Sequence, residues 1–213
     1  MRSWRASSIV LGIGLLAGLL GARGAWAGPP TEQLRSAVDK VIGIATDRQL
    51  PPAERDRALR TIAGRIFDFR ETTKRALGLN WRSLSDEQRA EFEPLFRELL
   101  ERAYMSKIEA YRGEKIVYGR EYSEGDYATV QTRLITDRGT DIPIDYSLLR
   151  EGNRWRVYDV AVDGISLIDN YRSQFADIIH TSSYQELVKR LKAKVQEPGP
   201  GQAGPVRRQP SAG

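Results

Sequence analysis

Arg154 to Ile179 reads RWRVYDVAVDGISLIDNYRSQFADII, and the fold turns on this stretch. Its first part alternates, with Trp155, Val157, Asp159 and Ala161 on one side of an extended chain and Tyr158, Val160 and Val162 on the other. Both sides carry apolar bulk, so a strand here has to be covered on each face. The alternation stops at the turn pair Asp163-Gly164. Leu167, Ile168, Tyr171, Phe175, Ile178 and Ile179 then follow at helical spacing. The chain is expected to pass from strand to helix through a two-residue corner.

Upstream, Lys115 to Tyr122, Tyr127 to Thr136 and Thr140 to Arg150 also read as strands. They are divided by Glu124-Gly125-Asp126 and Asp137-Arg138-Gly139, and Glu151-Gly152-Asn153 joins the last of them to Arg154. Four consecutive strands with short turns predict an antiparallel meander. Ala128, Val130, Thr132 and Leu134 share one face of the second strand, and Ile142, Ile144, Tyr146 and Leu148 share one face of the third. Those two faces should point the same way. Downstream, Tyr184 to Lys194 predicts a short helix with Leu187, Val188 and Leu191 on its apolar side.

The first half of the chain is helical in period. Leu34, Val38, Val41, Ile42 and Ala45 stripe a helix over Thr31 to Gln49, and Pro51-Pro52 ends it and starts another bearing Leu59, Ile62, Ala63 and Ile66. After Phe67-Asp68-Phe69, a short helix over Glu71 to Leu77 is stopped by Gly78. Ser85 to Gln88 has capping-box spacing and opens the longest helix, striped by Phe92, Leu95, Phe96, Leu99, Leu100, Ala103, Tyr104 and Ile108. Pro94 inside it predicts a kink near Ala90 or a break into two helices. The fold class is therefore α+β, a four-stranded twisted antiparallel sheet packed against several helices.

Composition bounds the function. The chain has 213 residues, 40% hydrophobic and 29% charged, as a soluble globular domain has. The formal charge of +5 is misleading, because Arg2, Arg5 and Arg23 precede the folded part and Arg207 and Arg208 follow it. The near-neutral remainder argues against nucleic acid as a partner. Cysteine is absent, which excludes disulfides, thiolate catalysis and Cys-ligated metals. Residues 1–27 run from Arg2 and Arg5 through the apolar Ile9 to Leu20 to Ala25-Trp26-Ala27, the order of a cleaved export signal. The apolar core is about a dozen residues, short of a span. Residues 28–195 are expected to form the domain, and 196–213, rich in Pro and Gly, a disordered tail.

Catalytic signals are weak. No nucleophile elbow, phosphate loop or dinucleotide fingerprint occurs. His180, the only histidine, falls in a last helical turn, where it suits the helix dipole better than chemistry. Asp159, Asp163 and Asp169 point in different directions from strand, turn and helix, so no metal site is expected. Asp159 is either a structural hydrogen-bond acceptor or, in a pocket, a general base. Arg70, Lys74, Arg75, Arg133 and Arg172 are either solvated surface or a face for an anion. No enzyme, catalytic residue or cofactor is expected from these features. Sheet and helices then either pack solid or leave a cavity, and the pattern leaves both open.

The segment from Trp155 to Phe175 closely resembles the signature of the MlaC, or toluene-tolerance, family of periplasmic phospholipid-binding proteins. Phe67-Asp68-Phe69, Ala76-Leu77-Gly78, Trp81, Leu84 to Arg89, Phe92, Phe96, Tyr104 and Tyr111 match that family in order and spacing over residues 31–194. The resemblance implies an α+β fold enclosing an apolar lipid cavity. It also implies a monomeric periplasmic carrier between an outer-membrane lipoprotein complex and an inner-membrane ABC transporter with an MCE-type subunit. A phospholipid is the implied ligand, and one branch of the family suggests a hopanoid or other polycyclic lipid instead. About 30 methylenes of a two-chain lipid represent on the order of 24 kcal/mol of avoided exposure, so the cavity must enclose most of both chains.

On this resemblance the sheet side of the cavity is expected to be Val130, Leu134, Ile144, Tyr146, Leu148, Val160 and Val162. The helix side is expected to be Phe67, Phe69, Tyr104, Ile108, Ile165, Ile168 and Phe175. If the other face of the last strand looks inward, Trp155 and Val157 replace Val160 and Val162. Two rivals remain: a small-pocket enzyme using Asp159 as base, and a lipid-free adaptor with a filled core.

Overall fold

A computed structural model describes residues 29–197, so the expected export signal and the tail from residue 198 onward lie outside the described residues. The elements are helices α1 (Pro29–Thr46), α2 (Pro52–Ile66) and α3 (Phe69–Leu77), a 3-10 turn (Gly78–Ser83), α4 (Asp86–Glu109), strands β1 (Lys115–Glu124), β2 (Tyr127–Ile135), β3 (Asp141–Glu151), β4 (Arg154–Val162) and β5 (Ile165–Ser166), then α5 (Leu167–Thr181) and α6 (Tyr184–Gln196). The sheet is an antiparallel meander in the order β1-β2-β3-β4-β5, so it has five strands among the described residues, not the expected four. The corner at Asp163-Gly164 accounts for the difference. Both residues take positive φ, 51° and 76°, the backbone of a tight primed hairpin turn. The chain therefore folds back, pairing Ala161 with Ser166 and Val162 with Ile165, before α5 begins.

The last long strand departs from simple alternation. Ser147 pairs with Asp159, but its neighbour Leu148 pairs with Val157, so Tyr158 is an extra residue in a β-bulge. A bulge moves the side-chain phase by one. Val160 and Val162, opposite Tyr146 and Ile144, thus share a face with Val157 and Trp155. The expectation that these pairs lie on opposite faces is corrected: all four look inward, and Asp159 and Ala161 look out. A second bulge lies at Gly119-Arg120 of β1, between the pairs Tyr118 with Thr132 and Glu121 with Val130. Ile116, Tyr118, Glu121 and Ser123 consequently all face inward. As expected, Ala128 to Leu134 and Ile142 to Leu148 present their alternate residues to one common face.

The free edge of β4 is closed piecewise. β5 covers its far end, Phe67 bridges to Val157, and Asp68 N–H donates to Val157 O at 2.8 Å. Helix ends follow the sequence signals. Ser85 and Gln88 exchange the two bonds of a capping box, and Asp68, Ser166 and Ser183 each accept from a backbone N–H of the first turn they cap. Helix α4 runs through Pro94 as one helix, so of the two expected outcomes, a kink near Ala90 or a break into two helices, the break does not occur. Pro94 faces solvent, where the carbonyl it leaves unbonded can be hydrated.

The buried side chains form two separate groups. One is helical: Phe92 and Phe96, fully buried, meet Phe175 edge-on with ring centres 5.5 and 5.1 Å away, among Leu77, Leu100, Tyr184, Leu187 and Leu191. The other lies on the sheet: Leu34 of α1 with Ala128, Val130, Leu148 and Val157. Phe67 packs against both groups and stacks on Phe69 at 5.8 Å. A filled domain of this size normally has one contiguous core. Here there are two, and among the described residues Phe67 alone is packed against both.

Candidate functional site

Helix α1 defines where the inner face is covered. Its N-terminus is tied to β1 by Glu121, whose carboxylate accepts from Thr31 N at 3.0 Å and Thr31 Oγ1 at 2.6 Å. Gln33 fastens it to the β3–β4 hairpin, donating to Asn153 O at 3.3 Å and accepting from Trp155 N at 2.9 Å. These ties hold Leu34 over Ala128, Val130, Leu148 and Val157. Beyond them, towards the other end of the strands, Ile116, Leu134, Ile142 and Ile144 are only half-buried although they lie on the same inner face, and Tyr146 and Val160, level with Val130, are half-buried against the edge of that group. No residue of α4 belongs to the sheet's core group.

The fourteen residues expected to line a cavity fall into three sets. Val130, Leu148, Ile168 and Phe175 are at most 3% exposed and Phe69 8%, so they are packed on every side. Phe67, Ile108, Leu134, Ile144, Tyr146 and Val160 are half-buried, and Tyr104, Val162 and Ile165 are exposed. The sheet-side residues share one face, as their register shows. Phe175 and Phe69 instead belong to the helical core, and Ile165 sits at 69% exposure on the edge strand.

Sequence reading passed over Tyr118. Its register with Thr132 places it on the inner face, its ring lies 4.4 Å beneath the Arg35 guanidinium, and its hydroxyl is buried with no hydrogen-bond partner. Burial, helped by the nearby charge of Asp39, pushes its pKa up to about 12. The hydroxyl of Tyr146 makes no hydrogen bond among the described residues and is likewise pushed up to about 12 by burial. Gly119 inside a strand pattern was the available signal, since an isolated strand glycine marks a bulge that re-aims its neighbours.

Asp159 is occupied structurally. Its carboxylate accepts from Val160 N at 2.8 Å, Ile168 N at 3.1 Å and Ser166 Oγ at 2.6 Å, and Ser166 in turn caps α5. Both carboxylate oxygens are engaged in the β4–β5–α5 corner, which supports the structural reading over the general-base alternative. Of the basic residues considered for an anion face, Lys74, Arg75 and Arg172 lie together, with Arg172 Nε donating to Arg75 O at 2.9 Å, but their charges are paired. Lys74 and Arg75 pair with Glu71, Arg133 with Asp141, and Arg172 with Asp169. Among the described residues no cluster of three or more His, Asp or Glu is placed to hold a metal, and no helix is long and apolar enough to cross a membrane.

The arrangement defines an α+β domain whose bulged sheet turns a partly uncovered apolar face, dotted with unpartnered phenols, towards a separate helical core. Such a face suits an elongated apolar ligand better than a reaction. The MlaC protein family matches residues 35–193, and the chain belongs to that family. It is 24% identical over 178 residues to the intermembrane phospholipid transport system binding protein MlaC of Haemophilus influenzae, covering 79% of this chain and 83% of that one. It is 29% identical over 122 residues to the toluene tolerance protein ttg2D of Pseudomonas putida, covering 56% and 57%. In structure it resembles the phospholipid-binding protein of Ralstonia solanacearum solved in complex with a phospholipid, with TM-score 0.71 and 25% identity over 78% of this chain and 97% of the other.

Proposed function

We propose that this protein binds a phospholipid between its sheet and its helices and carries it through the periplasm between the outer and inner membranes. One observation carries the reading: in an apolar strip on the sheet's inner face, Leu134 and Ile144 are half-buried and belong to neither core group, while Tyr146 and Val160 beside them are half-buried at the edge of the sheet group. Leaving such a strip uncovered has a hydrophobic cost, which acyl chains laid along it would offset at roughly 0.8 kcal/mol per methylene. The phospholipid complex of the Ralstonia solanacearum protein supports the ligand class. On this reading the residues 1–27 export the chain, and the docking partners are an outer-membrane lipoprotein complex and an inner-membrane ABC transporter with an MCE-type subunit. Because most of both chains must be enclosed, release requires a partner that favours an open state.

Native mass spectrometry and organic extraction of protein purified from cells test this. The wild type should carry about one phospholipid per chain, whereas Ile144→Trp, which fills the strip, should carry little while melting as a folded protein. A wild type free of lipid, or an Ile144→Trp protein with undiminished lipid, refutes the assignment.

A further inference from the structure

This inference rests on the carrier reading and concerns how the cargo is oriented. The inner face is apolar except at few points, and one of those is out of place. Tyr118 brings a hydroxyl into the interior, where it is shut off from solvent and meets no acceptor. A buried donor left unsatisfied is costly, and native structures usually supply a partner. The neighbouring polar groups do not. Thr132, its partner across the strands, spends its own hydroxyl on Ile144 O at 2.9 Å. Arg35 lies over the ring rather than at the oxygen, and Asp39 acts on it only through its charge. Of the phenols on the inner face among the described residues, only that of Tyr118 has an oxygen both buried and without a partner.

We propose that the Tyr118 hydroxyl donates a hydrogen bond to an ester carbonyl of the bound lipid and so fixes the depth at which the glycerol sits. A neutral acceptor suits this point, because the charges of Arg35 and Asp39 oppose each other here and the low dielectric of the interior disfavours a buried anion. A phosphate belongs further out, near the solvent-facing Arg35 and Lys40 of α1. In a diacyl phospholipid the esters lie between phosphate and tails, which matches a donor placed between the α1 rim and the apolar strip. A diether lipid with the same headgroup and chains has no carbonyl to offer.

Vesicles containing equal amounts of a diester phosphatidylglycerol and its chain-matched diether analogue are incubated with the protein, and native mass spectrometry reads which lipid is taken up. The wild type should prefer the diester by roughly five- to tenfold, the worth of one net hydrogen bond. Tyr118→Phe, with an unchanged melting temperature, should lose that preference while keeping its uptake of the diether. Equal uptake of both lipids by the wild type overturns the inference and leaves the carrier reading standing, as does a Tyr118→Phe protein that still prefers the diester. Uptake of neither lipid by the wild type overturns both.

Discussion

Replacing Asp159 with Ala distinguishes a structural acid from a chemical one. Its carboxylate satisfies two backbone N–H groups, those of Val160 and Ile168, and the Ser166 hydroxyl. The Ile168 bond lies in the first turn of α5, where no intrahelical acceptor exists. Counting each lost bond at about 1 kcal/mol gives a destabilisation of roughly 3 kcal/mol. For a domain of this size each kcal/mol moves the melting temperature by about 2–4 °C, so Asp159→Ala should melt roughly 6–12 °C lower. Asp159→Asn keeps an oxygen for the two N–H groups and loses mainly the acceptor for Ser166, so its loss should be about a third as large. Differential scanning calorimetry at neutral pH measures both. Below their transitions, both variants should retain as much lipid as the wild type. An Asp159→Ala melting temperature within about 2 °C of the wild type, or an Asn variant as unstable as the Ala variant, would show that this corner is held by something else.

Two further outcomes follow from particular residues. Pro94→Ala restores a backbone N–H inside α4 and should stabilise the protein by about 1–3 kcal/mol, read as a raised melting temperature; a fall would mean that α4 needs the irregularity. Tyr118 and Tyr146 are pushed up to about 12 chiefly by burial, and Tyr184 equally, by burial and then the charge of Glu91. The folded state therefore keeps these phenol protons above pH ~10, where tyrosines of the unfolded chain ionise. The stability they contribute is whole below pH ~10 and lost as the pH rises through about 12. Urea unfolding across this window should show the decline, and Tyr146→Phe should flatten it. Ionisation of every tyrosine near pH ~10 in an ultraviolet titration of the folded protein would contradict it.

How much the sequence revealed depends on whether a feature is periodic. Helices and strands declared themselves through spacing, and caps such as Ser85 with Gln88 through chemistry that acts within a few residues. The bulges did not, because each is a break in the period from which faces are read. Trp155, Val157, Val160 and Val162 looked like the apolar halves of a strand with two oily faces, when they are one oily face whose phase slips at Tyr158. Apolar bulk on both sides of a short strand was itself the trace of that slip. Depth was equally hidden. Parity placed Val130 and Ile144 on one face, but only the ties from Glu121 and Gln33 to α1 bury the first and leave the second half open.

These two failures of the sequence reading have one physical origin, and it bears on function. Bulges in β1 and β4 lie on the two sides of the sheet and each increases the local twist and bends its strand. A sheet bent at both sides cannot lie flat against straight helices, which accords with a sheet group gathered under α1 and a helical group apart from it, linked through Phe67. The same slips that hide the inner face from a period-2 reading therefore also keep the two cores apart. Gly119 marks the sharpest instance. A Cβ there would come within 3.3 Å of Gln131 O, tight enough that the two strands would have to give by a few tenths of an ångström to admit it. Gly119→Ala should therefore loosen the β1–β2 pairing at the bulge, read as a lowered melting temperature; an unchanged melting temperature would show that the strands give way freely there.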